Sequence, residues 1–145
     1  MIVFVDDEKW IIKGIIDYYE NKYQRLNDVR LKPKHFFYAV KAKKYIEENI
    51  SDIDLLIIDI GMDYGDGDLN KGISGGVQFI NELKKANTTK DIPVIIFSIH
   101  NLGYFENDLF PKIDQKSLFY VNRNEDASNN ILYPLVDKIF KSKNT

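Results

Sequence analysis

The stretch Leu55-Leu56-Ile57-Ile58-Asp59-Ile60-Gly61-Met62 decides the reading of this chain. Four apolar side chains in a row end at a carboxylate, and a glycine follows two positions later. An unbroken apolar run of that length suits a strand buried on both faces, as in a parallel sheet covered by helices. Open α/β sheets place their ligands beyond the C-terminal ends of such strands, which is where Asp59 falls. The run Ile2-Val3-Phe4-Val5 repeats the pattern, ending in Asp6, Asp7 and Glu8. Two hydrophobic strands therefore deliver acids to one sheet edge, a donor set suited to a hard divalent cation.

Around these two runs the chain alternates strands with helices. Lys9–Arg25 carries Ile12, Ile15, Ile16 and Tyr19 at helical spacing, with Asp6 or Asp7 placed to cap its start. Leu31–Val40 reads as a strand starting after Pro33, and Lys41–Asn49 as a short helix with Tyr45 and Ile46 inward. After the Leu55–Asp59 strand, Ile73–Lys85 is a helix with Val77, Ile80 and Leu83 on one side. Pro93–Phe97 is a fourth strand, its proline at the first position where the missing N–H costs least. Asn101–Lys116 is ambiguous, with Tyr104–Leu109 a candidate helix that Pro111 would stop, and Leu118–Val121 is a fifth strand. Asn129–Lys141 closes the chain as a helix, with Ile131, Leu135 and Ile139 at steps of four, flanked by Leu132 and Val136. This alternation predicts one domain over residues 1–145, a parallel sheet with helices on both faces.

Composition narrows the function classes. With 145 residues, 44% hydrophobic and 29% charged, the chain can bury a real core and is not of disordered type. A formal net charge of −2 offers no global attraction to nucleic acid or to anionic lipid. The absence of cysteine excludes disulfides and thiol chemistry. No basic region precedes the first apolar run, and no apolar stretch approaches the ~20 residues of a membrane helix. The expected setting is cytoplasmic, with no direct nucleic-acid or membrane partner.

Asp6 and Asp7 after strand one, Asp59 after strand three, Ser98 after strand four and the polar pair Asn122-Arg123 after strand five resemble the receiver domain of two-component response regulators. The resemblance runs through nearly the whole chain in order and spacing. It implies a flavodoxin-like doubly wound sheet of order 2-1-3-4-5. It implies that Asp59 accepts a phosphoryl group from a histidine kinase or phosphotransfer protein, with Mg²⁺ held by Asp6, Asp7, Asp59 and the Gly61 backbone carbonyl. Ser98 would supply the switch hydroxyl, and Tyr120 or Phe119 the aromatic residue that moves with it. The response would appear on the face made by helix four, strand five and helix five, read by a downstream protein partner or a fused output domain. Such a domain is not an enzyme, beyond self-phosphorylation from small donors and slow self-dephosphorylation.

The chain departs from that pattern in three places. The family's lysine after strand five is missing, as is the proline that follows it. Counting from Tyr120 puts Arg123 at the lysine position, and counting from Phe119 puts Asn122 there. Asp63 replaces the proline usual after Met62. The loop over residues 63–72 is long and rich in Gly and Asp. Its Asp66, Asp68 and Asn70 follow the start of an EF-hand, but Gly72 falls one place late and Val77 replaces the closing Glu, so it reads as a solvated loop. A lone His100 near Ser98 makes neither a metal site nor a triad. Two rival functions share these acids: a degenerate receiver that binds partners without phosphorylation, and a small Mg²⁺-dependent phosphohydrolase. A nucleotide-binding module is disfavoured, because Asp6-Asp7-Glu8 replaces the glycine-rich loop that cradles phosphate.

Overall fold

A computed structural model of the chain describes residues 1–9, 13–18, 21, 33–61, 75–100, 103, 109, 117–126 and 131–143. Five parallel strands form one sheet: β1 (Ile2–Val5), β2 (Lys34–Phe36), β3 (Leu55–Ile58), β4 (Val94–Ser98) and β5 (Leu118–Asn122), in the order β2-β1-β3-β4-β5. This is the flavodoxin-like order expected from the sequence. Residues 13–18 are helical, and Ala39–Glu48, Gly75–Lys85 and Leu132–Lys143 form three further helices. Among the described residues, no helix is long and apolar enough to cross a membrane.

Up to Ser98 at the end of β4, the central strands are apolar because each residue faces one of two cores. Val3, Val5, Leu56, Ile58, Val94 and Ile96 pack with Ala39, Ala42 and Ile46 of the second helix and Val77, Ile80 and Leu83 of the third. Their neighbours Ile2, Phe4, Leu55, Ile57, Ile95 and Phe97 point the other way, onto Ile15, Leu132, Val136, Ile139 and Phe140. Period-2 alternation thus divides the residues between two helix layers, and burial on both faces leaves the strand interiors apolar.

Several boundaries differ from the sequence reading. The second strand holds only Lys34–Phe36, and the helix that follows begins at Ala39 rather than Lys41. Ala39 and Ala42 give that helix its buried stripe beside Ile46, so the chain leaves the edge strand early to cover the sheet. The fifth strand continues to Asn122, and the fourth runs Val94–Ser98 while Pro93 still pairs, its carbonyl accepting from Leu56 N at 2.9 Å.

The last helix is described from Leu132, and its buried stripe is Leu132, Val136, Ile139 and Phe140. Ile131, expected inside, is 45% exposed. The helix is therefore rotated by one position from the step-of-four reading. Asp126 fixes its start, its buried Oδ1 accepting from Ile131 N at 2.6 Å and Leu132 N at 3.2 Å. The expected helix over Tyr104–Leu109, the loop 63–72 and the expected helix start at Ile73 lie outside the described residues, Leu109 apart.

Candidate functional site

Register brings the acids together. Val5 pairs with Ile58 across β1 and β3, so the next residues, Asp6 and Asp59, emerge side by side at the C-terminal edge of the sheet. Asp59 N donates to Val5 O at 2.9 Å, and Asp6 N donates to Phe36 O at 3.0 Å. One carboxylate oxygen from each of Asp6, Asp7 and Asp59 lies within 4.8 Å of the others. Asp6 and Asp59 are buried and Asp7 is exposed, so the cluster is a pocket with one open side. Asp6 Oδ1 accepts from Glu8 N at 2.8 Å, which holds the turn that follows β1. His35 Nε2 lies 2.8 Å from the Asp6 carbonyl oxygen and supports the same turn from β2.

Burial dominates the electrostatics of Asp6 and pushes its carboxyl up to about 6. The Arg123 guanidinium and the Glu8 N–H pull in the opposite direction, and the charge of Asp59 adds to the rise. Asp6 is thus a buried acid whose ionised form needs a cation beside it.

Arg123 supplies one positive charge. Its Nη2 donates to Asp6 Oδ2 and, at 3.0 Å, to the Phe97 carbonyl, while Nη1 donates to Glu8 Oε2 at 3.1 Å. The guanidinium carbon lies 4.5 Å from the centre of the Phe97 ring. Arg123 Nε is buried and has no acceptor among the described residues. Of the two residues open for the lysine position, Arg123 is the one that reaches the acids. Asn122 turns its Oδ1 back to accept from Asn124 N at 2.9 Å and Glu125 N at 3.3 Å, shaping the turn after β5.

The remaining groups line the same edge. Ser98 is fully buried, and its Oγ accepts from His100 N at 3.2 Å. Tyr120 lies on the face packed by the second and third helices, and its hydroxyl donates to the His100 carbonyl at 2.5 Å. Phe119 packs into the opposite core, so Tyr120 is the aromatic residue connected to the strand-four loop. Gly61 N donates to Asp59 Oδ1 at 3.2 Å, and a Cβ on Gly61 would come within 3.1 Å of His100 Nε2.

Two features escape sequence reasoning. His100, set aside as a lone histidine, connects Ser98 to Tyr120 through its backbone, and its ring lies beside Gly61. Glu8 and Phe97 both hold Arg123 in place. The contacts of His100 with Tyr120 and of Arg123 with Glu8 and Phe97 join segments far apart in the chain, so no local pattern marks them; the count of three from Tyr120 to Arg123 is the one signal pointing to the arginine.

No protein-family profile matches the sequence, and no curated protein matches it. Solved structures do. The phosphorylated cyanobacterial phytochrome response regulator RcpA superposes with a TM-score of 0.60 at 21% identity, covering 95% of this chain and 86% of that one. The signal receiver domain of a DNA-binding response regulator from Colwellia psychrerythraea 34H gives 0.60 at 16% identity, covering 94% and 97%. The receiver domain of NtrX from Brucella abortus gives 0.54 at 17% identity, covering 97% and 98%. The chain spans 64% of the length of a further match, a structure from Chloroflexus aurantiacus J-10-fl. With its strand order and its acids at the ends of β1 and β3, this chain has the fold of a response-regulator receiver domain.

Proposed function

We propose that this chain is a phosphoacceptor receiver domain, accepting a phosphoryl group on Asp59. The convergence of Asp6, Asp7 and Asp59 at one sheet edge carries this reading. In the step, an Asp59 carboxylate oxygen attacks phosphorus, the bond from phosphorus to the donor breaks, and the donor leaves with the bonding electron pair. A carboxylate is a weak nucleophile, and its attack gathers negative charge in an already acidic pocket, so catalysis is largely positioning and neutralisation.

The donor set fits a hard divalent cation, since all three side chains offer oxygen and the Gly61 carbonyl stands two positions past the acceptor. Asp6, Asp7, Asp59 and Gly61 would hold Mg²⁺. Such an ion supplies charge neutralisation and orientation of the phosphoryl oxygens. Ser98 retains its hydroxyl proton for donation to a phosphoryl oxygen. Pulling Ser98 inward moves the His100 backbone and, through it, Tyr120, shifting the population of the face presented by β5 and the last helix. The upstream partner is a histidine kinase or phosphotransfer protein, and the output passes to a protein partner or a fused domain. One structural neighbour, RcpA, was crystallised phosphorylated, in keeping with this chemistry.

Intact-mass measurement after incubation with acetyl phosphate and Mg²⁺ tests the reading. The wild-type chain gains one phosphoryl group and Asp59→Asn gains none. No gain, or a gain that survives Asp59→Asn, overturns it. Phosphoester turnover well beyond one equivalent would instead identify a phosphohydrolase.

One observation favours a second reading, a degenerate receiver that binds its partner without phosphorylation. Arg123 already pairs with Asp6 inside the pocket, where a receiver needs room for a metal and a phosphoryl group. Absence of phosphoryl gain with intact folding selects this reading.

A further inference from the structure

Both carboxylate oxygens of Asp6 already have partners within the chain. Oδ1 accepts from Glu8 N at 2.8 Å, and Oδ2 is held by Arg123 Nη2. The arginine is fixed from several directions: Glu8 Oε2 on Nη1 at 3.1 Å, the Phe97 carbonyl on Nη2 at 3.0 Å, and the Phe97 ring 4.5 Å from the guanidinium carbon. Its backbone N donates to the Ser98 carbonyl at 2.8 Å, tying the residue to the end of β4. The Arg123 side chain is 8% exposed and that of Asp6 2%, so salt screens this pair little.

We propose that Arg123 is an internal counter-ion that competes with a divalent cation for Asp6, so that the chain limits its own cation affinity through an ion pair. The inference rests on the cation site proposed above. A cation that takes Asp6 Oδ2 shares it with the guanidinium or displaces it. Even without sharing, a fixed positive charge beside the carboxylates opposes a second one. The planar fork bridges Asp6 and Glu8 while stacking on a ring, a geometry that a lysine ammonium does not reproduce. A mere strut between the first turn and the end of β5 would make the same contacts, yet its removal would leave cation affinity unchanged or weaker.

Calorimetric titration of the full chain with Mg²⁺ alone, without phosphodonor, separates the two. Arg123→Met keeps an unbranched stem against Phe97 and removes the charge; its Mg²⁺ affinity rises about tenfold or more. Arg123→Lys, with the charge but not the fork, falls between. Wild-type binding at an affinity that Arg123→Met leaves unchanged or weakens overturns the counter-ion role and leaves the cation site standing. Binding by neither protein overturns both. Should Arg123→Met fail to fold, the wild-type protein still decides. The ¹⁵N side-chain signals of Arg123 move with the same midpoint as the calorimetric titration, and signals unmoved at saturating Mg²⁺ overturn the inference.

Discussion

Burial pushes the Asp6 carboxyl up to about 6, against the pull of Arg123 and the Glu8 N–H, and this makes the stability of the pocket depend on pH. The unfolded chain releases this proton near 3.8, so between that value and about 6 the folded state binds more protons than the unfolded state. Stability from Asp6 is therefore full at the acidic end of that window and declines as pH rises through it, by an amount of the order of 3 kcal/mol. Urea denaturation in chelator checks this, comparing wild type with Asp6→Asn, whose amide does not titrate. The stability of wild type relative to the variant falls from pH 4 to pH 6; a flat difference contradicts the sign. At this scale the sequence identified the acids by type and position alone. Which of Asn122 and Arg123 approaches them was not legible, because neighbouring residues at a strand end differ in direction, and direction follows from pairing and from the turn beyond.

Helix placement depends on contacts as well as periodicity. The helix Gly75–Lys85 was legible from Val77, Ile80 and Leu83, all of which are buried. Nothing local marks the constraint at Gly76, where an added Cβ would clash with Asp59 O and with Ile60 Cα and O. These are backbone atoms of the segment that presents Asp59, so the helix itself must retreat. Gly76→Ala is expected to destabilise the fold by about 1–3 kcal/mol, despite alanine's better helix propensity, as measured by urea denaturation. An unchanged or raised midpoint contradicts the close packing. The last helix teaches a related lesson: its apolar residues are dense enough to support two stripes one position apart. The Asp126 cap and the sheet beneath select Leu132, Val136, Ile139 and Phe140.

Across the whole molecule, Lys84 ties together pieces that the strand-helix pattern leaves separate. It is 8% exposed, and its Nζ donates to Ile92 O at 2.6 Å, Ser117 Oγ at 2.8 Å and Lys90 O at 3.0 Å. The end of the third helix, the approach to β4 and the start of β5 thus meet at one ammonium. Lys84→Met keeps much of the volume but leaves these acceptors short of a donor, and the expected loss is about 1–3 kcal/mol by urea denaturation. A variant as stable as wild type would show that the acceptors are readily satisfied by water. By itself the sequence determined the sheet and its two helical layers, because continuous apolar runs can be buried only between such layers and their carboxylate ends mark one edge. The tertiary structure alone decided that Arg123 pairs with Asp6 at the acidic cluster, that His100 joins Ser98 to Tyr120, and that Gly76 lets a helix touch the Asp59 backbone. Apart from the two-residue step between Ser98 and His100, these contacts join residues remote in sequence, and their geometry exists only once strand register and helix packing have brought them together.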